Sequence, residues 1–277
     1  MSIQKIIKFY AFEPQPSMLM LNKANMTNIE LLKRVFTGTG SYNFPYDGEN
    51  YTIDIKEIGM NFIFGTCAKE SELKYTNFFQ MRDTKTNTAT PYTSVEPGRQ
   101  LEVYTYFYID CARNRMSAIQ HKSISKIHLI LSDFIYSASG NMVYFFIAPE
   151  KIPDIKKATQ NLKRAKILDL SFAKGKSKEY IEPLAKSLGD LKYDSYSVTM
   201  KLSQKDDNLT DKLLHLVSND KDNYNGIKLT GKNEYGLDET INFLEMSYTK
   251  NIPFELTDDV ATNTEYIKTK LSESLLS

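Results

Sequence analysis

The sequence predicts an α+β protein of two lobes, each a mixed or antiparallel sheet with packed helices. Three observations carry that prediction. Several short runs alternate apolar and polar residues, and many of them are joined by tight turns, as antiparallel hairpins are. Other segments repeat apolar residues at the three- and four-residue spacing of an amphipathic helix. The two kinds of segment follow one another without a regular period, which fits two α+β lobes better than one doubly wound sheet. The chain has 277 residues, 41% hydrophobic and 25% charged, enough to bury a sizeable core. Disorder, a collagen repeat and a disulfide-stapled miniprotein are excluded on the same grounds.

Residues 3–12 alternate and carry aromatics, which predicts a first strand stopped by Pro14 and Pro16. Ile29, Leu31, Leu32, Val35 and Phe36 predict a helix over 28–36, with Asn28 as its cap and Thr27 just before it. A loop marked by Gly38, Gly40, Pro45 and Gly48 follows. Strands over 51–57 and 60–66 are joined around Ile58 and Gly59. Residues 82–100, rich in Thr, Asn, Pro and Gly, read as a polar loop. The clearest local signal is a hairpin of 101–110 with 115–120, turning through Ala112, Arg113 and Asn114. A helix from Ser123 or Ser125 to about residue 137 buries Ile127, Ile130, Leu131, Phe134 and Ile135. Residues 142–148 are almost continuously apolar and predict a central strand closed by Pro149.

Pro153 suits the first turn of a helix over 154–163, and 167–172 reads as a strand. A helix over 177–188 is interrupted or kinked at Pro183. Residues 193–202 alternate as a strand, and Asn208 caps a helix over 209–217. Strands over 227–231 and 239–248 are joined through 232–238, and Thr257 caps a last helix over 258–276. Gly175, Pro183 and Gly189 place a connecting segment at 176–189, between an N-terminal domain, 1–175, and a C-terminal one, 190–277.

Motifs for chemistry are mostly negative. Cys67 and Cys111 belong to no Cys-x-x-Cys pair and read as buried structural thiols. Residues 1–10 lack the apolar stretch of a signal peptide. The longest apolar runs fall far short of the ~18–20 residues that span a bilayer. The expected location is therefore the cytoplasm, without insertion into a membrane. Gly175-Lys176-Ser177 ends like a phosphate loop, but Leu170 stands where the first glycine belongs. His121, His128 and His215 have no partners at zinc-ligand spacing and read as residues of solvated helix faces. No cofactor and no metal site are predicted. One alternative is a metal-dependent nuclease: Asp47 and Asp54 hold Mg²⁺ and Lys56 steadies developing charge.

Charge is more informative. The chain carries +1 overall, but residues 1–149 carry +2, residues 150–205 carry +6 and residues 206–277 carry −7. Lys156, Lys157, Lys163, Arg164, Lys174, Lys176 and Lys178 predict a basic stripe that neutralises DNA backbone phosphates without reading sequence. The acidic segment suggests a gate over that stripe through Asp206, Asp207 and Asp211, or a protein-interaction surface for a basic partner.

The order of elements resembles RexA-like phage-exclusion proteins, with KwaB-type antiphage proteins as a related possibility. The likeness runs through the Phe9-Tyr10-Ala11 strand, the aromatic hairpin, the following helix and the strand ending Ile147-Ala148-Pro149-Glu150. It continues through the later strands and helix, Lys232-Asn233-Glu234 with Gly236, and Pro253 and Leu256 before the last helix. The resemblance implies a cytoplasmic, non-enzymatic sensor of double-stranded DNA in prophage or bacterial antiphage defence of the abortive-infection type. It further implies a homodimer that signals to a small membrane protein partner. It assigns no individual residue to DNA contact.

Overall fold

The computed structural model describes residues 3–16, 26–71, 78–92, 97–149, 155–162, 164–172, 196–202, 208–244, 247–249, 252–256 and 263–276. Its strands are β1 (Ile3–Pro16), β2 (Gly40–Tyr46), β3 (Glu49–Ile58), β4 (Phe62–Glu70), β5 (Phe79–Asp83), β6 (Ala89–Pro91), β7 (Arg99–Asp110), β8 (Arg115–Ile119), β9 (Val143–Pro149), β10 (Arg164–Phe172), β11 (Tyr196–Lys201), β12 (Tyr224–Lys232), β13 (Asp238–Asn242), β14 (Ser247–Thr249) and β15 (Ile252–Leu256). The helices are α1 (Asn28–Val35), α2 (Ile127–Ala138), α3 (Ile155–Asn161), α4 (Leu209–Asp220) and α5 (Thr264–Ser274). Among the described residues the strands form one ten-stranded and one five-stranded sheet. The expected α+β class with two sheet-and-helix lobes is what the chain adopts. No helix among these residues is long and apolar enough to cross a membrane.

Two compact units emerge: Met1–Ala148 with Ile252–Ser277, and Pro149–Asn251. This differs from the boundary expected at 176–189. Strand pairing, not glycine and proline punctuation, sets the division. β10 is hydrogen-bonded to β11 and β12 and so belongs to the second sheet. β15 pairs with β1, from Ile3↔Leu256 to Ile7↔Ile252, and returns the chain to the first. The proposed linker falls outside the described residues.

In the first unit the strand order is β15-β1-β8-β7-β4-β3-β2; β5 joins β7 and carries β6, and β9 joins β1. One face packs Ile53, Cys67, Phe107 and Met116 against α1 and α2, whose Leu32, Ile130, Leu131 and Ile135 are fully buried. The opposite face packs Phe9, Phe64, Tyr106 and Ile119 against Ile267 and Leu271 of α5. Hydrogen bonds from Ser117 Oγ to Leu271 O (2.9 Å) and from Arg115 to Leu275 O hold that helix down. Burying each such large apolar side chain contributes about 1.5–3 kcal/mol.

Local chemistry explains the starts of two helices. Thr27, not Asn28, caps α1: Glu30 N donates to Thr27 Oγ1, and Thr27 N donates to Glu30 Oε2 at 2.7 Å. Asn28 instead donates to Asn114 Oδ1 at 2.5 Å. The last helix begins at Asn263, whose side chain accepts from Tyr266 N; the expected cap, Thr257, lies outside the described residues. Three strand expectations need correction. β1 runs on through Pro14 to Pro16. The polar segment 82–100 contains β6 and the start of β7. β9 is not central among the described residues: there it pairs with β1 alone, and Ile147 N on it donates to Ser132 Oγ of α2.

In the second unit the order is β11-β10-β12-β13-β14. Leu168, Leu170, Ile227, Leu229 and Ile241 form its core with Ile155 and Ala158 of α3 and Leu213 of α4. Both helices therefore cover the same face of this sheet.

Candidate nucleic-acid interface

Of the predicted basic stripe, only Lys156 and Arg164 have described side chains, and these two stand in different layers of the second unit. Lys163, Lys174, Lys176, Lys178 and the Lys157 side chain lie outside the described residues. Lys156 stands on α3, in the helical layer, where its Nζ lies 2.7 Å from Asp211 of α4. Both partners are more than half exposed, so the pair contributes less than about 1 kcal/mol. It does join one residue of the expected gate to one of the expected stripe. Asp206 and Asp207 lie outside the described residues.

Arg164 sits elsewhere. It pairs across the ladder with Lys232 at the start of β10, on the sheet face away from the helices. Strand alternation explains the placement: Ile227 and Leu229 point into the core, so Lys228, Thr230 and Lys232 point the other way. A bulge between Ala165 and Ile167 frees Lys166 from the ladder, and its Nζ reaches Asp238 Oδ1 at 3.4 Å on this same face. Lys201 stands opposite Ile167 on β11. Five cations, Arg164, Lys166, Lys201, Lys228 and Lys232, thus share one face with two carboxylates, Asp169 and Asp238. Asp238 holds two of the lysines, with Lys232 Nζ at 3.0 Å, and the Lys232 and then the Lys166 ammonium keep its carboxyl below the usual range. Asp169 accepts from Thr199 Oγ1 at 2.6 Å, and Thr230 and Thr240 share a hydrogen bond of 2.9 Å. Arg164, Lys201 and Lys228 are exposed and have no acidic partner among the described residues.

The nuclease triplet is not brought together either. Asp47 lies in the β2–β3 turn at φ 51° and pairs with Lys126 at 3.0 Å. Asp54 is paired with Ser41, five residues up the strand from the Tyr46–Glu49 pair, roughly 17 Å along the hairpin. Its carboxylate is buried and taken up by Ser41 Oγ (2.6 Å), Thr66 Oγ1 (3.3 Å) and Arg82 Nη2 (2.7 Å). Lys56 is exposed at a bulge between Ile55 and Glu57. Among the described residues no group of three His, Cys, Asp or Glu is arranged to hold a metal ion.

Arg82 organises a second polar cluster, on the α5 side of the large sheet. Its Nε donates to Glu102 at 2.8 Å, and Gln80 Nε2 donates to the same carboxylate at 2.8 Å. Arg82 on β5 reaches Asp54 on β3, which are three strand spacings apart, about 14 Å on a flat sheet. One side chain bridges that distance because the sheet curls. The cluster is closed in on itself and reads as structure. Beside the β2–β3 turn, Tyr46, Asp47, Glu49, Tyr51, Lys69 and Lys126 line a cleft of about 240 Å³, in which Lys69 pairs with Glu49 at 2.5 Å and Lys126 with Asp47.

The histidines also depart from expectation. His121 is 2% exposed and accepts from Ser123 N through Nδ1, and its Nε2 has no hydrogen-bond partner among the described residues. Burial, with Lys5 and Lys69 nearby, lowers its pKa to about 4. His128 stacks on Tyr10 at 5.0 Å, and burial lowers its pKa too. Only His215 lies on an exposed helix face, beside Asn219. Cys67 and Cys111 are buried free thiols whose pKa values are raised by burial, that of Cys111 to about 12.

Lys166, Lys201, Lys228 and Lys232 are the functional candidates that sequence reasoning left out. Alternation over 227–231 places Lys228 and Thr230 together, but no sequence signal sets β10 and β11 beside β12. No family model and no curated protein matches the chain.

Proposed function

We propose that this chain binds duplex DNA along its phosphate backbone, without a catalytic step, on the face of the five-stranded sheet that no described helix packs against. One observation carries the reading: five cations against two carboxylates on a single face, three of the cations without an acidic partner among the described residues. Lysine and arginine neutralise phosphates and release counterions, and serine and threonine hydroxyls such as those of Ser197 and Thr199 add backbone contacts. The resemblance to RexA-like proteins supports the same reading. It extends it to a cytoplasmic homodimeric sensor in prophage or antiphage defence that signals to a small membrane partner.

A gel shift with linear duplex DNA, with and without Mg²⁺ and at several salt concentrations, tests the proposal. Wild type is compared with Arg164→Glu/Lys201→Glu/Lys228→Glu. These side chains are exposed, so the triple variant is expected to fold. Salt-sensitive binding of intact DNA that the variant loses is the expected result. Unchanged binding by the variant would remove this face from the interface, and Mg²⁺-dependent cutting by wild type would put the nuclease reading in its place.

A further inference from the structure

The turn between β12 and β13 is built around one residue. Asn233 Oδ1 accepts from Tyr235 N and Leu237 N, both at 2.9 Å. Its Nδ2 donates to the buried carboxylate of Glu239 at 2.8 Å. Its backbone accepts from Gly236 N at 3.0 Å and donates to Leu237 O at 2.9 Å. Gly236 has φ 73°, a conformation that a side chain disfavours. Five hydrogen bonds thus hold a short tip, and that tip presents Tyr235 at 56% exposure.

The tip stands where the cations gather. Lys232 and Asp238 close the hairpin, Arg164 lies opposite Lys232, and Lys166 reaches the same Asp238. Elsewhere on this face the described residues include no aromatic. The Glu234 carboxylate beside it raises the pKa of the phenol, so the hydroxyl stays protonated and the ring is the apolar part of the tip. An exposed ring on a tip whose backbone is held by hydrogen bonds, beside cations suited to phosphates, is suited to stacking on a base. A fully paired duplex offers no free base face along its length; an unpaired base does.

Building on the DNA-binding reading, we infer that Tyr235 stacks on an unpaired base in otherwise double-stranded DNA while Arg164 and the neighbouring lysines hold the flanking phosphates. The test compares two linear duplexes of identical length and ends, one fully paired and one with a single central unpaired adenine. The readout is the ratio of the two affinities for wild type, Tyr235→Phe and Tyr235→Ala, so a general loss of DNA binding does not imitate it. Wild type is expected to prefer the bulged duplex by roughly five- to a hundredfold. Tyr235→Phe keeps most of that ratio and Tyr235→Ala brings it close to one. A wild-type ratio near one, or an undiminished ratio in Tyr235→Ala, overturns the inference and leaves backbone binding standing. Failure of wild type to bind either duplex overturns both.

Discussion

Arg82 is 4% exposed and bonds to two carboxylates, Asp54 and Glu102, that are themselves buried. Removing the guanidinium leaves two buried carboxylates without the group that bridges them. Arg82→Met is therefore expected to cost about 3–5 kcal/mol of stability in urea unfolding. Arg82→Lys should recover only part of it, because one ammonium does not replace the planar fork that spans two partners. A loss below about 1 kcal/mol for Arg82→Met would contradict the reading of this cluster as a closed structural network. His121 makes a pH prediction. Its folded pKa of about 4 lies below the ordinary value of 6.5, so the unfolded chain binds the proton more readily. The stabilisation is complete above pH 6.5, declines as the pH falls toward 4, and changes no further below that. His121→Asn keeps an acceptor for Ser123 N and should flatten the stability–pH curve in that window; the same slope in both proteins would refute it. Neither role was legible in the sequence. Asp54 and Arg82 are far apart along the chain, and the periodicity around His121 is that of any amphipathic segment.

At the scale of elements, the hairpins were readable because their signals are local. The β7–β8 turn shows why: Asp110 Oδ1 accepts from Ala112 N and Arg113 N, and Asn114 takes the positive φ of 54°. β9 misled because an apolar run marks burial, and here α2 supplies the cover on the side where a central strand would have a second partner. The β12–β13 hairpin carries its own prediction. Asp238 holds Lys166 and Lys232, and under the DNA-binding proposal its carboxylate competes with a phosphate for them. Asp238→Asn removes that competition and is expected to raise duplex affinity roughly two- to fivefold at low salt. Weaker binding in Asp238→Asn, measured by titration, would mean that the carboxylate positions the two lysines instead of competing for them.

Across the whole molecule, the basic segment 150–205 and the acidic segment 206–277 predicted opposed surfaces. The second unit mixes them. β10 and β11 from the basic segment share one sheet with β12 and β13 from the acidic one, joined at the β10–β12 ladder, and Lys156 meets Asp211. The resulting cationic face draws Arg164, Lys166 and Lys201 from one segment and Lys228 and Lys232 from the other. With three to five phosphates neutralised, log affinity should fall with log salt at a slope of about −3 to −4.5. A slope near zero would exclude a backbone-dominated interface.

The sequence by itself determined the α+β class, most hairpins and helices, and the burial of both cysteines, because turn chemistry, periodicity and apolar character act over a few neighbouring residues. Tertiary structure alone decided the division into units, the closed Arg82 cluster, the buried histidines and the membership of the cationic face. Each of those depends on which strand lies beside which, and on how far the sheet curls. Backbone hydrogen bonds between distant segments set both, and no local pattern records them.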